Sequence, residues 1–192
     1  MIRALVFDCF GVLYQGSRNY LFDRTPTAKH DELHDLNVAS DYGFVSYNEY
    51  VRQASALASL GPDELERIFS AEHQRNEQLV TYVRYARDRG FKTALLSNVG
   101  RDVMDRLFAP SEQAELFDAV VLSSDVASIK PHPQMYETVA MRLEVEPEAC
   151  VMIDDIQTNV DGALAVGMQG VCFVSTEQTI CELDALVEGK RA

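Results

Sequence analysis

Tryptophan is absent from the 192 residues, and basic residues are scarce: 17 Lys and Arg stand against 30 Asp and Glu, for a formal charge of −13. Such a surface repels nucleic-acid phosphates and anionic lipid headgroups, so neither is an expected partner. Anionic substrates in general are resisted too, and a phosphate site therefore needs local cations. No apolar run approaches the length of a membrane span, and the opening MIRALVF is too short in its apolar stretch for a secretory signal. The expected location is cytoplasmic. The four cysteines, Cys9, Cys150, Cys172 and Cys181, show no CxxC spacing, and three of them lie in or beside apolar runs. They read as reduced, mostly buried thiols. There are no internal repeats and no low-complexity segments.

Five short runs rich in Val, Ile, Leu and Phe read as buried parallel strands: Ile2 to Phe7, Lys92 to Ser97, Ala119 to Leu122, Cys150 to Ile153 and Val171 to Val174. Between the later ones the periodicity is helical. One helix is predicted from Pro133, with Tyr136, Val139, Ala140 and Leu143 on a single face. Strand and helix alternate, which predicts an α/β fold with a doubly wound, Rossmann-like parallel sheet. The first two strands are separated by more than eighty residues, too many for one crossover. That interval holds helix signals and no convincing strand. Ser46 with Glu49 forms a capping box, Gly61-Pro62 breaks the chain, and an amphipathic stretch ends at Arg87, Arg89 and Gly90. The expectation is a core made of residues 1–14 and 91–192, with a helical cap inserted at 15–90.

Chemistry is concentrated just beyond the strands. Asp8 follows IRALVF, Ser97-Asn98 close KTALLSN, Lys130 precedes Pro131, and Asp154-Asp155 follow CVMI. Open parallel sheets collect their ligands in the crevice at the carboxyl edge, where side chains from several strands meet. Adjacent carboxylates after a buried strand need a compensating positive charge. Mg²⁺ suits them, since it takes oxygen ligands and usually only one or two carboxylates. Ser97, Asn98 and the helix start behind them suit a tetrahedral oxyanion, although Ser-Asn alone is more often a plain helix cap. Asp154-Asp155 alone would also serve as a helix N-cap cluster, and a lone loop lysine is usually solvated.

The order FDCFGVL, LLSNVG, SIKPHPQMYE and VMIDDIQTNVDGALAVGM resembles the haloacid dehalogenase superfamily of aspartate-nucleophile hydrolases, over Ile2 to about Val174 and more weakly between Tyr14 and Gly90. The resemblance implies Asp8 as nucleophile and Lys130 as the cation that neutralises it and a bound phosphate. It implies Ser97 and Asn98 as phosphate-binding groups. It implies Mg²⁺ held by Asp8, Asp155 and the Phe10 backbone carbonyl, with Asp154 behind them. The implied activity is hydrolysis of a small phosphorylated metabolite, such as a sugar phosphate, through an aspartyl phosphate, by a monomer or homodimer.

One position departs from the pattern. Phosphatases of the superfamily commonly carry a second aspartate two residues after the nucleophile as general acid and base, worth about 10² to 10⁴ in rate, and here that residue is Phe10. Three readings compete. The first is a phosphatase whose leaving group needs little protonation or whose proton comes from water or the cap, as in α-glucose-1-phosphatase-like members that also lack the second aspartate. The second is a 2-haloacid dehalogenase, which has an aromatic residue there but not the acidic pair. The third is phosphonate hydrolysis, which needs a cap lysine, and Lys29 is the one lysine there. A non-catalytic binding protein of the same fold is a further alternative. Tyr14, Arg18, Asn19 and Tyr20 are candidates to touch the substrate or to be surface residues of a first cap helix. His30 and His34 in HDELH are expected on a solvated helix face, because the glutamate is misplaced for HExxH. Cys9 is expected to pack in the core.

Overall fold

The computed structural model describes residues 1–16 and 18–189; the side chains of Arg18 and Arg101 lie outside that description. Five strands form one parallel sheet: β1 Ala4–Phe7, β2 Lys92–Ser97, β3 Ala119–Leu122, β4 Cys150–Asp154 and β5 Gln169–Cys172. Their spatial order is β3-β2-β1-β4-β5, which puts the first strand in the middle. Alternation along each strand divides the apolar side chains between two faces. Leu5, Phe7, Leu95, Val151 and Ile153 pack on one side, and Ala4, Val6, Leu96, Cys150 and Met152 on the other. The expected α/β doubly wound architecture is what the chain adopts.

Helix α9, Pro133–Leu143, buries Met135, Tyr136, Val139, Ala140 and Leu143, as its spacing predicts. Helix α10, Gln157–Ala165, lies beside it, and the Tyr136 hydroxyl donates to the Asn159 carbonyl at 2.7 Å. On the opposite face lie α5 (Glu77–Asp88), α6 (Arg101–Leu107), α7 (Pro110–Leu116) and α11 (Thr176–Val187). Three strands differ from expectation at their ends, β4 by one residue at Asp154. The first strand begins at Ala4 rather than Ile2, and the last spans Gln169–Cys172, leaving Val174 exposed beyond it. The apolar run there misleads because its hydrophobic residues continue past the last ladder bond. Cys9 and Cys150 are buried, but Cys172 is only partly covered and Cys181 is exposed, so two thiols rather than most are core residues.

Between β1 and β2 the described residues form helices that pack in two parts. Helices α1 (Arg18–Arg24), α2 (His30–Asp41), α3 (Tyr47–Leu57) and α4 (Pro62–Glu72) enclose their own apolar cluster of Leu21, Leu33, Leu36, Val51, Leu65 and Phe69. Helix α5 instead contributes Leu79, Val80, Tyr82 and Val83 to the sheet face. The chain leaves and re-enters the sheet layer side by side: Tyr14 bridges Arg75, Gln15 N–H donates to the Gln74 carbonyl and Asn76 N–H to that of Leu13. Ser46 caps α3 by accepting from the Glu49 N–H at 3.3 Å, but the Glu49 carboxylate turns to Arg52 and Gln53, so only half of the capping box forms. Gly61 and Pro62 begin α4, and Gly90, at φ +86°, ends the turn after α5. His30 is not solvated: its Nε2 lies 3.0 and 2.9 Å from the Phe22 and Thr25 carbonyls and ties α2 to α1, whereas His34 is exposed.

Because Leu65 is fully buried in the α1–α4 cluster, Leu65→Ala is expected to cost about 2–5 kcal/mol in that unit. Native-state hydrogen exchange checks it, with protection lost across α1–α4 while amides of β1, β2 and β4 stay protected.

Candidate active site

Phe7 pairs with Leu95 of β2 and with Ile153 of β4. This register brings Asp8, Ser97 and Asp154 to neighbouring positions at the carboxyl ends of the three central strands. Lys130 reaches them from the loop after α8, Ser123–Val126, which follows β3. Its Nζ lies 2.9 Å from Asp8 Oδ1 and 2.6 Å from Asp154 Oδ2. All three side chains are almost wholly buried, at 6% exposure for Asp8, 3% for Lys130 and none for Asp154.

Each charge in this group is anchored. Asp8 Oδ1 accepts from the Ser97 hydroxyl at 2.9 Å and the Cys9 N–H at 2.7 Å, as well as from Lys130. Asp154 Oδ1 accepts from the Ile156 N–H at 2.9 Å and the Asn159 amide at 3.0 Å. Asn98 exchanges two bonds with the Lys130 backbone, accepting from its N–H at 2.7 Å and donating to its carbonyl at 3.1 Å. The Asn98 amide thereby holds the lysine loop, whose Lys130–Pro131 bond is cis.

Asp155 is the more open third carboxylate. Carboxylate oxygens of Asp8, Asp154 and Asp155 lie within 4.8 Å of one another. Gly11, at φ +88°, passes directly over Asp155, and a Cβ there would come within 2.3 Å of its carboxyl carbon. Glycine is thus required twice, by conformation and by approach. Three carboxylates around one ammonium leave an excess of negative charge. Burial drives the Asp8 pKa up to about 6, with Lys130 opposing and Asp154 reinforcing the rise. Burial and then Asp154 also raise Asp155. Lys130, despite burial, is pushed further towards its charged form by Asp8 and Asp154. An all-oxygen, charge-rich donor set of this kind fits a small hard cation such as Mg²⁺.

The other candidates divide. Phe10 sits two residues after Asp8, and its ring meets His73, just after α4, at 4.8 Å between centroids. Tyr14 is buried and donates to the Leu107 carbonyl at 2.7 Å. Asn19 is exposed, the Tyr20 ring lies under Arg24 on α1, and the Arg18 side chain falls outside the described residues. Lys29 ends the short 3₁₀ turn before α2, and none of the contacts around Asp8 involves it. Sequence reasoning missed Asn159 and Gly11. Asn159 lies on the first turns of α10, five residues after Asp154, where a helix start points back to the strand end; Gly11 stood in the FGVL stretch without its contact being visible.

The parallel sheet with an aspartate, a lysine and a hydroxyl in contact at its carboxyl edge is the arrangement of a hydrolase. The family model for haloacid dehalogenase-like hydrolases matches residues 2–167, and the chain belongs to that family. Two solved structures share the fold. One is a HAD family enzyme of Bacteroides thetaiotaomicron in complex with magnesium and inorganic phosphate, with a TM-score of 0.72 and 14% identity over 92% of this chain and 96% of that one. The other is L-2-haloacid dehalogenase of Xanthobacter autotrophicus, with a TM-score of 0.61 and 24% identity over 96% of this chain and 83% of that one. A curated relative, the phosphorylated carbohydrates phosphatase of Thermotoga maritima, is 27% identical over 57% of this chain and 50% of its own length. The chain spans about half the length, or less, of most of the curated relatives it matches.

The ionised form of Asp8 is disfavoured in the folded chain, since its folded pKa of about 6 exceeds the ordinary 3.8. Its contribution to stability is therefore intact below pH 3.8 and is lost as the pH rises through about 6. Asp8→Asn, measured by urea unfolding in EDTA, is expected to be more stable than the parent by about 1–3 kcal/mol near neutral pH. The gap should narrow steadily as the medium is acidified, and equal stability at neutral pH would contradict the account.

Proposed function

We propose that the chain is a Mg²⁺-dependent phosphatase of a small phosphorylated metabolite, acting through an aspartyl phosphate on Asp8. The observation that carries the reading is the convergence of Ser97, Lys130 and the Cys9 N–H on a single oxygen of Asp8, beside the Asp154-Asp155 pair. With Oδ1 fixed by three donors, Oδ2 is the oxygen left to attack phosphorus. Lys130 keeps that carboxylate ionised and accompanies the negative charge of the substrate. Asp155, Asp8 and the Phe10 carbonyl would hold Mg²⁺, which when bound offsets the charge of the meeting anions. Asp154 orients Lys130 and is itself held by Asn159 and the Ile156 N–H. Helices α1–α4 serve as the cap and exclude water over the carboxyl edge.

The magnesium and phosphate in the Bacteroides enzyme support the cation and the substrate group, and the Thermotoga relative supports phosphate ester chemistry. The dehalogenase likeness favours a 2-haloacid less well. Displacement of halide brings no phosphate charge to the site, so it makes no use of an acidic pair suited to a divalent cation.

p-Nitrophenyl phosphate tests the reading. Phosphate release is expected with Mg²⁺, and none with EDTA, with Asp8→Asn or with Asp155→Ala. Asp154→Asn should retain activity at saturating metal but weaken Mg²⁺ by about 10- to 100-fold, as loss of a supporting partner typically does. Chloride release from 2-chloropropionate that persists in EDTA would overturn the proposal in favour of the dehalogenase.

A further inference from the structure

Tyr136 lies on the first turn of α9 and has no exposed surface. A phenylalanine would fill the same place on the apolar face of that helix, and a phenol is costly to bury unless it finds a partner. The partner is the Asn159 carbonyl, to which the Tyr136 hydroxyl donates at 2.7 Å. Asn159 in turn places its side-chain amide 3.0 Å from Asp154 Oδ1, and Asp154 Oδ2 meets Lys130 Nζ at 2.6 Å. We propose that Tyr136 is a positioning residue of this site: by fixing the first turn of α10 on α9, its hydroxyl aims Asp154 at Lys130 and so sets the ion pair that holds Asp8.

The hydroxyl stands where the two halves of that pair are anchored. Both donors to Asp154 Oδ1, the Ile156 N–H and the Asn159 amide, come from the start of α10. A carboxylate held by one oxygen points the other in a fixed direction, and here that direction is Lys130. Three residues beyond Asn159, Gly162 brings α10 against the segment that carries the lysine. A Cβ at Gly162 would come within 2.8 Å of the Cβ and carbonyl oxygen of Pro131 and 2.9 Å of the Tyr136 hydroxyl. Pro131 follows Lys130 directly, and α9 begins at Pro133. The lysine loop, α9 and α10 therefore converge on one phenol oxygen. Burial, and then the charges of Asp154 and Asp8, raise the Tyr136 pKa, so the group keeps its proton and remains a donor to the carbonyl.

The effect reaches both acids. Lys130 Nζ also lies 2.9 Å from Asp8 Oδ1, so a turn of the Asp154 carboxylate moves the ammonium relative to Asp8 as well. Asp155 follows Asp154 in the chain, and carboxylate oxygens of all three aspartates lie within 4.8 Å of one another. A cation among them is held less well when Asp154 turns, as with the loss of any group that orients a ligand. The proposal rests on the phosphatase reading only for this effect on Mg²⁺; the geometry of the ion pair is measured without turnover.

The test is Tyr136→Phe, which keeps the ring and removes the hydroxyl. Nitrogen-15 spectra of the lysine ammonium groups, recorded in EDTA, read the ion pair directly, because Lys130 is the one buried lysine among the described residues. Its signal is expected to move in Tyr136→Phe while the backbone amides of β3 and β5 keep their positions. Gly162→Ala, which keeps the hydroxyl but crowds it and Pro131, should move the same signal, and it carries the test if Tyr136→Phe does not fold. By calorimetry Tyr136→Phe should bind Mg²⁺ about fivefold more weakly than the wild type, the share of one hydrogen bond. In an Asp154→Asn background the same substitution should change the affinity by less than about twofold, since the phenol acts through that carboxylate. A merely structural hydroxyl would lower the urea midpoint in both backgrounds and leave the Lys130 signal and the Mg²⁺ affinity where they were. An unmoved Lys130 signal, or a loss of affinity that persists in full with Asp154→Asn, overturns the proposal. If the wild type binds no Mg²⁺ and hydrolyses no phosphate ester, the phosphatase reading fails, and the Lys130 signal still decides for or against Tyr136.

Discussion

The Lys130 ammonium, buried between the carboxylates of Asp8 and Asp154 at 2.9 and 2.6 Å, is the interaction on which the rest of the structure depends. Two carboxylates buried at the ends of adjacent strands need a cation between them, since desolvation of each costs several kcal/mol. The sheet order follows the same requirement. Placing β1 between β2 and β4 sets Asp8 between Ser97 and Asp154, and the loop beyond β3 is the segment that carries the lysine over them. Asn98 then holds that loop by both sides of the Lys130 backbone. Stability and proposed chemistry are opposed here, because the burial that strengthens the electrostatics of the site also disfavours the charged form of Asp8.

The insert is fastened to this centre by specific contacts rather than by a broad apolar interface. Asp102, in the first turn of α6, accepts from the Tyr47 N–H at 2.6 Å, so a residue of the sheet layer helps to cap α3. One turn later Arg106 covers the Tyr47 ring and reaches Asn48. On the other side the Ser123 hydroxyl donates to the Asp41 carbonyl. Helix α6 begins just after Ser97 and Asn98, so docking of α3 is linked through one short helix to the strand end beside Asp8. Phe10 and His73 make a further contact between the loop after β1 and the insert. Position 10 thus meets the insert through a ring, at the position where a proton donor is usual.

Much of this was legible in the sequence because buried parallel strands read as unbroken apolar runs. IRALVF, KTALLS and CVMI located β1, β2 and β4 to within two residues, and the polar residues after them marked the carboxyl edge. The failures have physical causes. Val174 continued an apolar run but lies past the ladder, where hydrogen bonding and not hydrophobicity ends a strand. His30 looked solvated because no periodicity reports a bond to the end of a preceding helix. The bonds of Asn98 to the Lys130 backbone were not legible, because residue type shows that an amide is present but not which groups it also holds. Helix α5 has the amphipathic pattern of its neighbours, yet its apolar stripe covers the sheet. Spacing gives the face of a helix and leaves its partner open.

The central claim is that Asp8 is the atom donor to phosphorus, and the most direct measurement is mass spectrometry of the protein quenched in acid during turnover of a phosphate ester. The account predicts one added phosphoryl group on the peptide containing Asp8, present with Mg²⁺ and absent with EDTA. A phosphoryl group on any other residue, or an ester of the substrate's carbon skeleton at Asp8, would contradict it.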